Sequence, residues 1–150
     1  MNYDTLRITK DRMDVIKPLW EKLNAVHSAE SPYFGHHFET LTFSKRMHKF
    51  DTVDEDDILI EIVKRDDVPC GYCITTVIHD IGELESLFVD EEERGNGLGR
   101  ILAHRSIEWM KERKCREIKV SVSYGHESVF GFYQKMGFYP RLTYLQLKEG

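Results

Sequence analysis

The stretch Leu87-Phe88-Val89-Asp90-Glu91-Glu92-Glu93-Arg94-Gly95-Asn96-Gly97-Leu98-Gly99-Arg100 decides how the rest of this 150-residue chain is read. An apolar run gives way to a short acidic loop, then to three glycines, then to a stretch of helical periodicity from Leu98 to about Lys114. That order is strand, turn, helix. The first amides of a helix have no intrahelical acceptor and stand at the positive end of its dipole, so such a turn makes an anion site. Gly95, Gly97 and Gly99 keep side chains away from approaching phosphate oxygens, and Arg94 and Arg100 add charge at either end. The dinucleotide fingerprint G-x-G-x-x-G fails here. Counted from Gly95, its third glycine falls on Arg100; counted from Gly97, it falls on Leu102. No G-K-[ST] follows, which removes the nucleotide-triphosphate loop. A flexible helix start with incidental glycines is the bland alternative.

Working outward, Leu6–Thr9 reads as a short first strand, followed by a helix capped by Thr9 or Asp11 and running to about Leu23. Ser28 to Gly35 has loop composition, and a second helix is expected from about His36 to His48. Ile58–Val63, Gly71–His79 and Glu83–Val89 are strands separated by turn signals at Arg65–Pro69 and Asp80–Gly82, an antiparallel meander. Beyond the Leu98 helix, Glu117–Val122 alternates as a strand. Val129, Phe130, Phe132, Tyr133 and Met136 have helical spacing, with Gly137 placed for a left-handed C-cap. Phe138–Leu147 alternates again and predicts a closing strand. The order β-α-α-β-β-β-α-β-α-β is a mixed α/β sheet with helices on its faces.

The length fits one domain spanning residues 1–150. Apolar residues make up 41% and charged residues 31%, as in an ordinary globular protein, and no apolar run reaches the roughly 18 residues of a membrane span. Met1 to Thr5 lacks the basic-then-apolar order of a signal peptide, so the cytoplasm is the expected compartment. Cys70, Cys73 and Cys115 are an odd number, against a disulfide framework. Cys70-Gly71-Tyr72-Cys73 lacks the second ligand pair that zinc needs and sits in a strand, so strand cysteines are expected there. A net charge of −5 argues against a nucleic-acid partner and leans toward cationic amines. The histidines other than His126 show no compelling ligand spacing, and no metal is expected.

Two motifs carry a resemblance to a known family. Arg94-x-x-Gly97-x-Gly99 matches the [RQ]-x-x-G-x-[GA] signature of the GNAT superfamily of N-acetyltransferases, and Phe132-Tyr133-Gln134-Lys135-Met136-Gly137-Phe138 resembles its second hallmark. The firm resemblance covers about Glu83 to Tyr139. It implies a mixed, mostly antiparallel sheet of about six to seven strands, splayed between strands 4 and 5, with about four helices on its faces. It also implies acetyl-CoA as cosubstrate, with its pantetheine arm in the splay and no metal. By similarity, Leu87, Phe88 and Val89 would pair with the arm, and Arg94, Gly95, Asn96, Gly97, Leu98, Gly99 and Arg100 would hold the pyrophosphate.

The expected chemistry is direct attack of a primary amine on the thioester, without an acyl-enzyme. An alkylammonium of pKa near 10.4 needs roughly 4.6 kcal/mol to lose its proton at pH 7, so a base is required, and then an acid for the departing thiolate. Glu85 is the first candidate base and Glu83 the second; decoration of a solvated strand face is the alternative for both. Tyr133 occupies the family's general-acid position, though it also reads as core packing beside Phe130 and Phe132. Many relatives carry Asn seven residues before that tyrosine as a cofactor contact; here the position is His126, which can donate or accept a hydrogen bond. Acceptor choice is expected to lie in Ser28–Gly35, the helix after it and the tail from Pro140. The expected partner is a small-molecule or peptide amine, with no nucleic acid or membrane, and a homodimer is left open. A non-catalytic CoA-binding module of the same fold is the competing function.

Overall fold

The computed structural model describes residues 3–149 as a three-layer α/β arrangement around one five-stranded sheet. Its strands are β1 (Tyr3–Ile8), β2 (Ile58–Arg65), β3 (Val68–Ile78), β4 (Ile81–Val89) and β5 (Glu117–Val120), in that spatial order. The first four are antiparallel; β5 lies parallel to β4. The two hairpins turn on Asp66-Asp67 and His79-Asp80, all four residues with positive φ, which is the twist two-residue hairpin turns require. β2 and β3 read as continuous apolar runs because both of their faces are covered.

On one face lie a 3-10 stretch (Lys10–Ile16), α1 (Lys17–Glu30), α2 (Gly35–Thr40) and α3 (Phe43–Met47). Ile16, Leu19, Trp20 and Phe50 meet Ile58, Ile60, Ile62, Tyr72 and Ile74 there. The other face carries α4 (Leu98–Glu112) and α5 (Phe130–Gln134). Leu98, Leu102 and Ala103 pack on Val63, Cys73 and Leu84, with Ile107 and Met110 on Val77 beyond them. Glu61, buried in β2, is held by two-pronged contact with Arg105 of α4 at 2.6–3.0 Å. Among the described residues, no helix is long and apolar enough to cross a membrane.

Several expectations change. The first helix runs on to Glu30, because its last two turns gain partners in α2: Asn24 donates to the Phe38 carbonyl and Ser28 to that of Gly35. The single helix over 36–48 is two, since Thr42 breaks it by accepting the Lys45 amide as an N-cap. The sheet has five strands rather than six to seven, and five α-helices flank it rather than four. Phe138–Leu147 is no strand: alternation supplies a face, but a strand also needs a neighbour's backbone, and residues 139–149 have none among the described residues. Leu142, Tyr144, Leu145 and Leu147 are 79–94% exposed.

Candidate functional site

The site begins where the sheet opens. β5 pairs with β4 only from Ile81/Glu117 to Leu84/Val120, whereas β4 continues to Val89. Beyond Leu84 that side of β4 has no strand neighbour among the described residues, because β5 ends at Val120. The end of pairing coincides with a bulge: Ile74 faces Ser86 while the next residue, Thr75, faces Leu84, so Glu85 is the extra residue. The bulge also reverses the faces. Leu84, Leu87 and Val89 all pack toward α4, while Phe88 joins the core under α1. The Glu85 carbonyl accepts a hydrogen bond from Arg46 at 3.1 Å.

At the far end of β4 stands the glycine turn. Gly97, the residue before α4, has φ +76° and offers no side-chain cap, so the first amides of a fifteen-residue helix stay open. Gly95 has φ +88°, and a Cβ on either glycine would meet nothing within 4 Å. These two are glycines because of backbone conformation and open space, not crowding. Gly99 differs: its Cα faces the Phe132 ring and Val89, where a Cβ would sit at 3.5–3.7 Å. Leu98 is buried; Arg94 and Arg100 are exposed, with Arg94 lying over the Phe88 ring and donating to the Val89 carbonyl.

A brace holds the turn that the glycine pattern did not reveal. Buried Glu93 accepts hydrogen bonds from the Tyr3 hydroxyl at 2.6 Å and Arg65 at 2.7 Å, and the Asn96 amide donates to the Tyr3 oxygen and the Glu93 carbonyl. The Tyr3 hydrogen bond, with Arg65 next, holds the Glu93 carboxyl below its ordinary range. The only sequence signal was an acid just before Arg94; its partners lie 90 and 28 residues away. Asn96, expected at the cofactor, thus spends its side chain on the brace.

The two carboxylates of β4 share a face but differ in environment. Glu85 has a side chain only 4% exposed, with one oxygen 2.7 Å from Lys49 Nζ and the other accepting from Thr76 Oγ1 at 2.7 Å. Arg46 stands 4.0 Å away. Both oxygens are therefore committed. Glu83 is half-buried, and desolvation, followed by the charge of Glu85, raises its pKa.

Tyr133, on α5, has its ring edge-on to Phe132 at 5.1 Å and to Phe138 at 5.8 Å and packed on the cluster of Cys70, Cys73 and Leu84. Burial pushes its phenol pKa upward, with the neighbouring Cys73 adding to it. The helix stops where expected, at Gly137 with φ +99°, the Phe138 amide turning back to the Tyr133 carbonyl. His126 lies at the start of the turn leading into α5, yet its Nδ1 is 2.5 Å from Glu30 Oε1 and its ring 5.0 Å from that of His27. That meeting of α1 with the loop after β5 joins residues 96 apart. Cys70 and Cys73 are buried strand thiols, as expected, with burial pushing Cys73 up to about 12.

The peptidyl-lysine N-acetyltransferase YjaB of Escherichia coli K12 is 30% identical over 76 residues, 51% of this chain and 46% of that protein. N-alpha-acetyltransferase 30 of Schizosaccharomyces pombe is 27% identical over 112 residues, 73% of this chain and 66% of that protein. The chain spans about half the length, or less, of other curated relatives it matches. Among solved structures, the PaiA N-acetyltransferase of Thermoplasma acidophilum in complex with coenzyme A shares the fold, with TM-score 0.75 and 18% identity across 95% of this chain and 93% of that one. Residues 23–138 match the model of the acetyltransferase (GNAT) family, and the chain belongs to that family.

Proposed function

We propose that this chain transfers the acetyl group of acetyl-CoA to a primary amine by direct attack on the thioester. The observation that carries this reading is the union, on one strand, of a parted sheet and an uncapped glycine turn: β4 has a vacant flank from Glu85 to Val89 and ends at the open amides of α4. An extended arm with a diphosphate at one end fits that outline, the arm as a surrogate strand against Leu87–Val89 and the diphosphate on the turn from Arg94 to Arg100. The imidazole of His126 is turned to Glu30 and His27, so the arm is left to the backbone of Leu87–Val89.

In the reaction, the amine must lose a proton, and the committed oxygens of Glu85 shift that task toward Glu83 through an intervening water. Glu85, fixed by Lys49 and Thr76, then sets the field in which Glu83 titrates. Tyr133, protonated at neutral pH, donates to the departing thiolate. The relatives' names cover a lysine side chain and a protein N-terminus, both primary amines, and the net charge of −5 favours a cationic acceptor. The groove beside α1 and α2 is lined by Trp20 and Asn24 and by Ser28 and Phe38, of which the last two lie in the segments expected to choose it. The cytoplasm, where acetyl-CoA is generated and thiols stay reduced, suits the free cysteines. A second copy of the chain is the macromolecular partner we assign, through the exposed apolar tail.

Thiol release from acetyl-CoA, measured against polyamines, amino acids, aminoglycosides and lysine- or N-terminal peptides, tests the reading. Turnover with one amine class is the expected result. CoA-induced thermal stabilisation with no turnover on any amine would leave the binding-module reading, which the engagement of Glu85 favours; absence of CoA binding would sink both.

A further inference from the structure

The strongest feature outside the acetyl-transfer machinery lies where the end of α1 meets the loop after β5. His27 and Glu30 stand three apart on the last turns of α1 and so share a face. His126 comes to them from the other side of the molecule's sequence. One nitrogen of each imidazole and one oxygen of Glu30 all lie within 4.8 Å of one another. His27 Nδ1 is buried and has no hydrogen-bond partner. A buried polar atom left unpaired calls for an explanation, because native structures pair nearly all of them.

The surroundings hold these groups in place. Gly125 has φ +103°, and a Cβ there would run into the Glu30 carbonyl oxygen and the Pro32 ring, so only glycine lets the loop press this closely on the helix end. Tyr124 stacks on Tyr33 at 6.1 Å with the planes 13° apart, and Phe38 of α2 lies against the His27 ring at 5.4 Å. The three donors therefore meet on a docked loop, not on free side chains.

We propose that His27, Glu30 and His126 form a three-ligand site for a divalent transition metal. Two imidazole nitrogens and a carboxylate oxygen are a donor set suited to zinc, and three protein ligands leave a fourth position for water or a donor atom of a bound molecule. Tetrahedral zinc at its usual bond lengths places donor atoms about 3.3 Å apart. The present spacing brackets that value: Glu30 and His126 at 2.5 Å must open by less than 1 Å, and the widest separation must close by about 1.5 Å. Side-chain rotation supplies both. The site departs from the expectation of no metal: the sequence reading ended the first helix at about Leu23 and put Glu30 in a loop, so the three donors were not brought together. It does not rest on acetyl transfer.

Protein stripped with EDTA and titrated with ZnCl2 by calorimetry tests it, with Co2+ as a spectroscopic substitute. The expected result is one zinc per chain and visible d–d absorption of four-coordinate cobalt, with no near-ultraviolet thiolate band. His27→Ala, Glu30→Ala and His126→Ala should each weaken zinc binding by about tenfold or more, while His36→Ala, exposed on α2, leaves it unchanged. X-ray absorption of the wild-type zinc complex, which needs no variant to fold, should show two imidazoles and an oxygen. No zinc uptake, uptake indifferent to His27→Ala and His126→Ala, or a thiolate band placing the metal on cysteine would each overturn the proposal.

Discussion

Tyr133 is partly buried against the core and carries a hydroxyl with no hydrogen-bond partner among the described residues. An acid that must release its proton to a transient thiolate has reason to lack a resident acceptor. Tyr133→Phe should therefore lower the rate of acetyl transfer by about 10²-fold and leave CoA affinity within about twofold. The direction of its pKa shift fixes the pH signature. A raised pKa keeps the phenol protonated further into the alkaline range, so the wild-type profile of kcat should show no descending limb below about pH 10. Presteady-state rates and calorimetry with CoA read the two quantities, and an unchanged chemical rate would remove Tyr133 as the acid. Glu85 teaches the opposite lesson. Its position on the strand was legible, but Lys49, Arg46 and Thr76, which occupy it, lie 9 to 39 residues away and follow no periodic pattern.

At the level of elements, the strand–turn–helix was legible because each part has a local cause: apolar β4, a short acidic loop that ends it, glycines that adopt positive φ, and an amphipathic α4. The end of β4–β5 pairing at Leu84 and Val120 was not legible, for strand pairing is a property of two distant segments. On α4 the buried stripe runs through Leu98, Leu102, Ser106 and Met110, which leaves Ile101 46% exposed. The glycines of the turn can now be separated. Gly97→Ala puts a Cβ into open space but forces a left-handed conformation, costing about 1–2 kcal/mol and lowering Tm by a few degrees. Its Cβ also stands where a phosphate oxygen would approach, so CoA affinity should fall by at least tenfold, about 1.4 kcal/mol. Gly99→Ala has no such φ and meets Phe132 at ordinary contact distance, so stability should change little. Urea melts and CoA titration check both. Equal CoA affinity in Gly97→Ala and wild type would mean that the turn does not receive the diphosphate.

For the whole molecule, the sheet ends unevenly. β1 and β5 are its edges, and β5 is only four residues long, yet the chain continues for a further alternating stretch whose apolar side chains face solvent. Leu145 and Leu147, 94% and 82% exposed, lie on one side of that alternation. Burying a leucine is worth about 1.5–3 kcal/mol, so a 17.7 kDa protein gains by covering a row of them, and an open sheet edge offers the unpaired amides and carbonyls that a strand requires. An alternating tail and an open edge are both present in each copy, which makes a second copy the natural complement: the tail of one chain against the β5 edge of the other, and the reverse, closing a twofold pair. The wild type should then elute as a species of twice the chain mass at tens of micromolar, and removal of residues 141–150 should return a folded monomer with its five-stranded sheet intact. Light scattering after gel filtration, with circular dichroism of the truncated chain, decides this. A wild-type monomer at those concentrations, or a dimer that survives the truncation, would place the tail elsewhere. Because the tail follows Tyr133 by only a few residues, pairing it would also anchor the far end of α5. The truncated chain should therefore lose acetyl-transfer rate even where its CoA affinity holds, a coupling that an unrelated tail would not produce.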